Sequence, residues 1–212
     1  FVISLIETEN IGSNECEVKA VYAGIEFIVN HYKEMYPHEP ALTEQTIDQL
    51  HWILMSPVNR RIAGALSHNE RKTGNNLFYP NPYVVKEHLT SLVDDAYAMT
   101  MYFHCIIKNN GITKCIVKRV IKFIAYFFHC FVSLHPYADG NGRTARLIAC
   151  FLHNLLSPLP LSVCNLPARN DYLFALDHAR LPFIEKEGMF SRSVQPSVLS
   201  SLIICCERDA VE

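Results

Sequence analysis

Apolar positions recur along this chain at intervals of three and four residues, the repeat of one helix face. Between Cys16 and Tyr36 they are Val18, Val21, Tyr22, Ile25, Phe27 and Ile28, with charged residues between them. Pro37 and Pro40 break the pattern. Thr43, Gln45 and Thr46 then offer a helix start, and Ile47, Leu50, Trp52, Ile53 and Leu54 carry an apolar face as far as Pro57. The period returns from Tyr83 to Ile107 and ends at the turn Asn109-Asn110-Gly111. Further helices are expected from about Ile112 to Leu134, from Thr144 through Leu155 to the stops at Pro158 and Pro160, and over Arg169–Arg180 and Pro196–Arg208.

The stretch 60–82 has a different character. It holds Gly64 and Gly74, the pair Asn75-Asn76, and Leu77-Phe78-Tyr79 ahead of Pro80 and Pro82, with charged residues in the middle. That mixture of turn formers and short apolar runs predicts an exposed hairpin or flap. No fixed-period repeat is visible. The expected architecture is all-α, one domain over residues 1–212 with a single small β-hairpin. The most membrane-like run, VIKFIAYFFHCFVSL at 120–134, is shorter than the ~20 apolar residues a span requires and carries Lys122 and His129. A central helix buried on most sides explains it better.

Half of the 212 residues are hydrophobic and 19% are charged, so a sizeable core can form and wholesale disorder is excluded. Nineteen basic against 21 acidic residues leave no net basic field to hold nucleic acid or an acidic membrane as the main partner. The eight cysteines include no CxxC pair, and Cys105, Cys130 and Cys150 sit in apolar runs. Reduced, buried thiols are expected, in a reducing intracellular compartment and not a secreted one. His104-Cys105 and His129-Cys130 lack metal-site spacing and are expected on buried faces. The chain opens on Phe1 and not Met, so upstream sequence, where any targeting segment would lie, is expected to have been trimmed.

Between two apolar helices lies His135-Pro-Tyr-Ala-Asp139-Gly140-Asn141-Gly142-Arg143-Thr-Ala-Arg146. Gly140 and Gly142 admit backbone geometry closed to other residues, so successive N–H groups can line an anion-binding concavity. The helix that starts there adds its free N–H groups and its dipole. Arg143 and Arg146, three apart, share a helix face, and their planar forks suit phosphate oxygens. Asp139 offers a hard oxygen ligand for Mg²⁺ beside such phosphates. His135, with a reference pKa of about 6.5, is a natural acceptor for a hydroxyl proton. One loop thus collects what transfer from a nucleotide needs.

This segment closely resembles the signature of Fic-domain proteins, HxFx(D/E)GNGRxxR, matching it everywhere except Tyr137, where Phe is usual. The resemblance extends to LHWILM at 50–55, the flap-like stretch, RTARL, and Arg169 with Tyr172 in RxxYxxAL. It implies a Fic-like helical bundle that transfers AMP from ATP to a Ser, Thr or Tyr hydroxyl of a target protein. It also implies roles: His135 as the base, Asp139 as the Mg²⁺ ligand, and Gly140, Asn141 and Gly142 as the anion hole, with the Asn141 side chain near the α-phosphate. Arg143 and Arg146 would hold the β- and γ-phosphates, Tyr172 would line the adenine pocket, and the flap over 65–78 would dock the target as an added strand. Within 1–15, Ser4-Leu5-Ile6-Glu7 resembles the family's inhibitory motif (S/T)xxxE(G/N). By that resemblance Glu7 would pair with Arg146 and hold ATP in an unproductive pose.

Each residue also has a plainer reading: His135 or Asp139 as a helix cap, the two arginines as solvated charges, Glu7 as an exposed acid, Tyr172 as core packing. Removal of AMP from a modified protein would use the same phosphate site, and a catalytically silent helical interaction module is the alternative from another class. Oligomeric state, a homodimer included, stays open.

Overall fold

The computed structural model describes residues 15–35, 42–72, 78–157, 169–184 and 196–209. Seven helices carry these residues: α1 (Glu15–Met35), α2 (Glu44–Met55), α3 (Pro82–Asn110), α4 (Lys114–Leu134), α5 (Asn141–His153), α6 (Arg169–Ile184) and α7 (Ser197–Asp209). Their ends follow local chemistry. The Thr43 hydroxyl accepts the Thr46 N–H at 3.1 Å to start α2, and the Thr113 hydroxyl accepts the Ile116 N–H at 3.3 Å to start α4. Asn81 caps α3 through the Tyr83 N–H at 3.0 Å, with Pro82 at the first turn, where no N–H is required. Gly111, at φ 72°, ends α3 three residues beyond the expected Ile107.

The centre of the molecule is α4, as its unbroken apolar run predicts. From Val120 to Leu134 nearly every side chain is buried, Phe127, Phe128 and Phe131 among them. Burying each such ring stabilises the fold by roughly 1.5–3 kcal/mol. Helices α3, α5 and α7 pack around it, while α1 covers α2 and α5, and α6 lies on α7. A Cβ on Gly24 of α1 would fall 2.8 Å from Leu147 Cδ1 of α5, so those two helices approach closely. Among the described residues no helix is long and apolar enough to cross a membrane.

Within the flap, residues 73–77 lie outside the described residues, and the residues on either side form two antiparallel bridges, Leu66 with Tyr137 and Lys72 with Phe78. The Tyr79 N–H donates to the Arg71 carbonyl at 3.0 Å, and Lys72 Nζ stands 4.4 Å above the exposed Phe78 ring. Two expectations change here. Cys105 is exposed, as are Cys16 and Cys115, whereas Cys130 and Cys150 are buried. The apolar neighbours of Cys105 lie on the other face of α3, where Phe103 is buried, and His104 is only half-buried. Tyr79, expected with Leu77 and Phe78 in an exposed flap, is half-buried, and its ring turns back onto His135. Glu7 lies outside the described residues.

Candidate functional site

Helix α4 ends on His135, whose φ of 51° and ψ of 58° are left-handed. For a non-glycine residue that conformation costs about 1 kcal/mol or more, and neighbouring contacts hold it. The His135 N–H donates to the Phe131 carbonyl at 3.0 Å. Its own carbonyl accepts Arg71 Nη1 at 2.5 Å, while Arg71 Nη2 reaches the Pro80 carbonyl at 2.8 Å. The imidazole stacks on the Tyr79 ring with centroids 3.9 Å apart and planes 15° from parallel. One residue further on, the Pro136 carbonyl accepts the Ser67 N–H at 2.9 Å. The base of the flap is therefore fastened to the residues that carry the imidazole.

Tyr137 anchors the loop in the core. It is wholly buried, and its hydroxyl donates to Asp48 Oδ1 at 2.6 Å. Burial pushes the phenol far above its ordinary value, and it pushes the Asp48 carboxyl up as well, against the lowering effect of that hydrogen bond. The Asn141 side chain closes the turn: its Oδ1 accepts the Tyr137 N–H at 2.9 Å and its Nδ2 donates to the Tyr137 carbonyl at 2.8 Å. With Asn141 only 2% exposed, its amide first holds the loop in shape, and one N–H is left for any bound group.

Beneath the loop lies His51 of α2, fully buried and stacked on Tyr137 at 3.7 Å with planes 7° apart. Its Nδ1 receives the Gly64 N–H at 2.9 Å, which places the ring proton on Nε2, and Nε2 donates to the Asp139 carbonyl at 2.9 Å. Burial holds its pKa down at about 4, so the ring is neutral at physiological pH. Gly140 follows at φ 74°, where a Cβ would sit 2.6 Å from Met55 Sδ and 3.2 Å from His51 Nε2. Conformation and space both require glycine there.

From Gly140 the chain enters α5. The first intrahelical bond runs from the Thr144 N–H to the Gly140 carbonyl at 3.0 Å, and the Thr144 hydroxyl donates to the same oxygen. The N–H groups of Asn141, Gly142 and Arg143 precede it, and Gly140 has no side chain to cap them. The helix thus starts at Asn141 and not at Thr144, because the left-handed glycine supplies the turn. Arg143 and Arg146 are 6% and 2% exposed, which removes the solvated-charge reading. The Asp139 side chain is 65% exposed, with Oδ1 accepting the Gly140 N–H at 2.6 Å and Oδ2 lying 3.7 Å from Arg143 Nη2. Arg143 Nε is buried with no hydrogen-bond partner among the described residues.

Two buried guanidiniums, one with an unsatisfied N–H, beside an uncapped helix N-terminus form a place for an anion with several oxygens. An exposed carboxylate at its mouth suits a hydrated Mg²⁺ bridging to such an anion. The donor set fits both groups. His135, Asp139, Gly140, Asn141, Gly142, Arg143 and Arg146 come together along one loop and helix start. Tyr172 lies on α6, with its side chain outside the described residues. Asp48, His51, Arg71 and Tyr79 hold the loop; sequence reasoning assigns none of them this role and offers His51 and Tyr79 only within LHWILM and the flap run Leu77-Phe78-Tyr79. His51 left a readable trace: it falls on the apolar stripe of α2 between Ile47 and Leu54, where a polar residue needs a partner. Arg71 and Tyr79 left none, because their roles come from contacts with a segment about 60 residues away.

A 44-residue stretch is 43% identical to a Fido domain-containing protein of Dictyostelium discoideum, covering 19% of this chain and 31% of that protein. The fold is similar to that of a Fic domain-containing signaling protein from Bacteroides thetaiotaomicron, with TM-score 0.65, 23% identity, and coverage of 92% of this chain and 71% of that one. It is also similar to Fic-1 (residues 134–508) from C. elegans, with TM-score 0.60, 20% identity, and coverage of 93% and 54%. The chain thus spans about a third of the curated relative's length and about half of the worm chain's. Residues 41–153, more than half of the chain, match the family model described as Fic/DOC family. They run from the residues ahead of α2, through the flap and α4, to the end of the arginine-bearing helix, so the matched region contains the loop contacts described above, and the chain belongs to the Fic/DOC family.

Proposed function

We propose that this chain is an Mg²⁺- and ATP-dependent protein adenylyltransferase. The observation that carries the reading is the pair of buried arginines at an open helix N-terminus, where the loop that begins at His135 enters α5. In this reading Arg143 and Arg146 hold the outer phosphates, and the N–H groups of Asn141, Gly142 and Arg143 face the inner one. Asp139 would hold Mg²⁺, which when bound would supply charge neutralisation along the phosphate chain. His135 takes the proton of a Ser, Thr or Tyr hydroxyl as its oxygen bonds to the α-phosphorus, and the bond to the pyrophosphate oxygen breaks. The products are the AMP-modified hydroxyl, pyrophosphate and the protonated imidazole. Aligning these groups lowers the barrier by positioning as much as by proton transfer.

Further parts of the reading concern regions around the loop. Tyr172 contributes to the adenine pocket, the target docks along the flap over 65–78, and Glu7 holds the resting chain in check through Arg146. The test is intact-mass analysis of the purified chain and of its Glu7→Gly variant after exposure to labelled Mg·ATP. A gain of one adenylyl group is expected, larger in Glu7→Gly. His135→Ala should lose it by ~10²–10⁴-fold while still binding Mg·ATP in a calorimeter. Normal transfer by His135→Ala overturns the assignment of the base. Absence of Mg·ATP binding even with Glu7→Gly overturns the activity and leaves the helical interaction module.

A further inference from the structure

His135 is the one non-glycine residue with positive φ among the described residues. Such a conformation persists where the surroundings over-determine it, and here those surroundings come from the flap. Arg71 is only 8% exposed and spends two guanidinium nitrogens on carbonyls, one of His135 and one of Pro80. It thereby ties the backbone of the imidazole-bearing residue to the extended segment that follows Phe78. The next residue of that segment, Tyr79, lays its ring flat on the imidazole at 3.9 Å and returns its N–H to the Arg71 carbonyl at 3.0 Å. These contacts form a closed circuit: His135 backbone, Arg71, Tyr79, His135 ring. Neither Arg71 nor Tyr79 lies in the loop that holds the phosphate site.

We infer that Arg71 and Tyr79 are positioning residues that fix the left-handed backbone and the ring plane of His135, so that the aim of the base depends on the flap. This deepens the adenylyltransferase reading and rests on it. The guanidinium fixes where the His135 carbonyl points, and the stacked phenol leaves the imidazole one plane in which to turn. A displacement of about 1 Å in a reacting group can cost ~10²-fold in rate, so modest loosening is enough to be measured. Because Tyr79 directly follows Phe78, whose pairing with Lys72 closes the flap, whatever occupies the flap acts next to the residue that orients the base.

Two readouts, one independent of activity, test this in the full chain. In ¹H–¹³C NMR spectra, the His135 ring protons should show the upfield ring-current shift of a face-stacked aromatic. Tyr79→Leu should abolish it and Tyr79→Phe should keep it. In labelled-ATP transfer, Tyr79→Leu should lower kcat by ~10–10²-fold with an unchanged KM for Mg·ATP, and Tyr79→Phe should restore the rate. Arg71→Met should lower kcat in the same way, with Arg71→Lys intermediate, which supplies the test if Tyr79→Leu does not fold. His135 shifts that are the same in Tyr79→Leu as in the parent overturn the inference, as does a loss that appears equally in KM. A parent chain that transfers nothing from ATP while its His135 resonances respond to Tyr79→Leu overturns the adenylyltransferase reading and upholds the positioning.

Discussion

His51 gives the sharpest quantitative expectation, because its environment tolerates one protonation state. Its Nδ1 accepts from Gly64 and its Nε2 donates to Asp139, so a second ring proton would set donor against donor in a fully buried site. Burial lowers its pKa from 6.5 to about 4 in the folded chain. The unfolded chain therefore binds the extra proton first, and stability that is present above pH 6.5 is lost as the pH falls towards 4. Linkage between those two values gives a loss of about 2 kcal/mol between pH 7 and pH 5, rising to about 3 kcal/mol at pH 4. His51→Gln supplies the comparison, since glutamine offers one acceptor and one donor but has no proton to gain. Urea unfolding at pH 7, 6, 5 and 4, followed by circular dichroism and by the fluorescence of the single tryptophan, measures both chains. That tryptophan, Trp52, packs directly beside Gly64, so it reports on this corner. The parent should lose about 2 kcal/mol more than His51→Gln between pH 7 and pH 5. Parallel pH dependences in the two chains would refute the assignment of a neutral, bracing imidazole.

Two further substitutions probe the loop from other sides. Tyr137→Phe removes the hydroxyl that donates to Asp48 at 2.6 Å and leaves a half-buried carboxylate short of a partner. It should destabilise the chain by roughly 1.5–3 kcal/mol at neutral pH, and an unchanged melting temperature would contradict that. Gly140→Ala places a methyl group 2.6 Å from Met55 Sδ at a φ of 74°. The cost should be roughly 2–4 kcal/mol, combining left-handed strain with overpacking, together with weaker Mg·ATP binding by calorimetry. A fully stable Gly140→Ala would mean that α2 does not press on the loop.

The helices were legible wherever a single face is apolar, and α4 was legible because no face is polar. The candidate site was legible as a candidate because its residues are nearly consecutive, His135 to Arg146. What sequence reasoning missed is what joins distant segments. Asp48 and His51 had no role in the reading of α2, because the partners that give them one, Tyr137 and Asp139, lie in a distant loop. Cys105 read as buried because its neighbours are apolar, but α3 turns that side to solvent. Asn141 read as a contact for phosphate, yet its amide is mostly engaged in closing the turn onto Tyr137. Arg71 lies in a charged stretch that reads as exposed, and only the carbonyls of His135 and Pro80 draw it inside.

The family-matched region, 41–153, leaves out both α1 and α7. Yet α1 lies against α2 and the arginine-bearing helix, and Leu199 and Ile203 of α7 are completely covered where it packs on α4. A recombinant fragment trimmed to those family limits would present to water the apolar surface that these helices cover, and aggregation is the expected outcome. Expression boundaries for this protein therefore belong outside both flanking helices, before Glu15 and after Asp209.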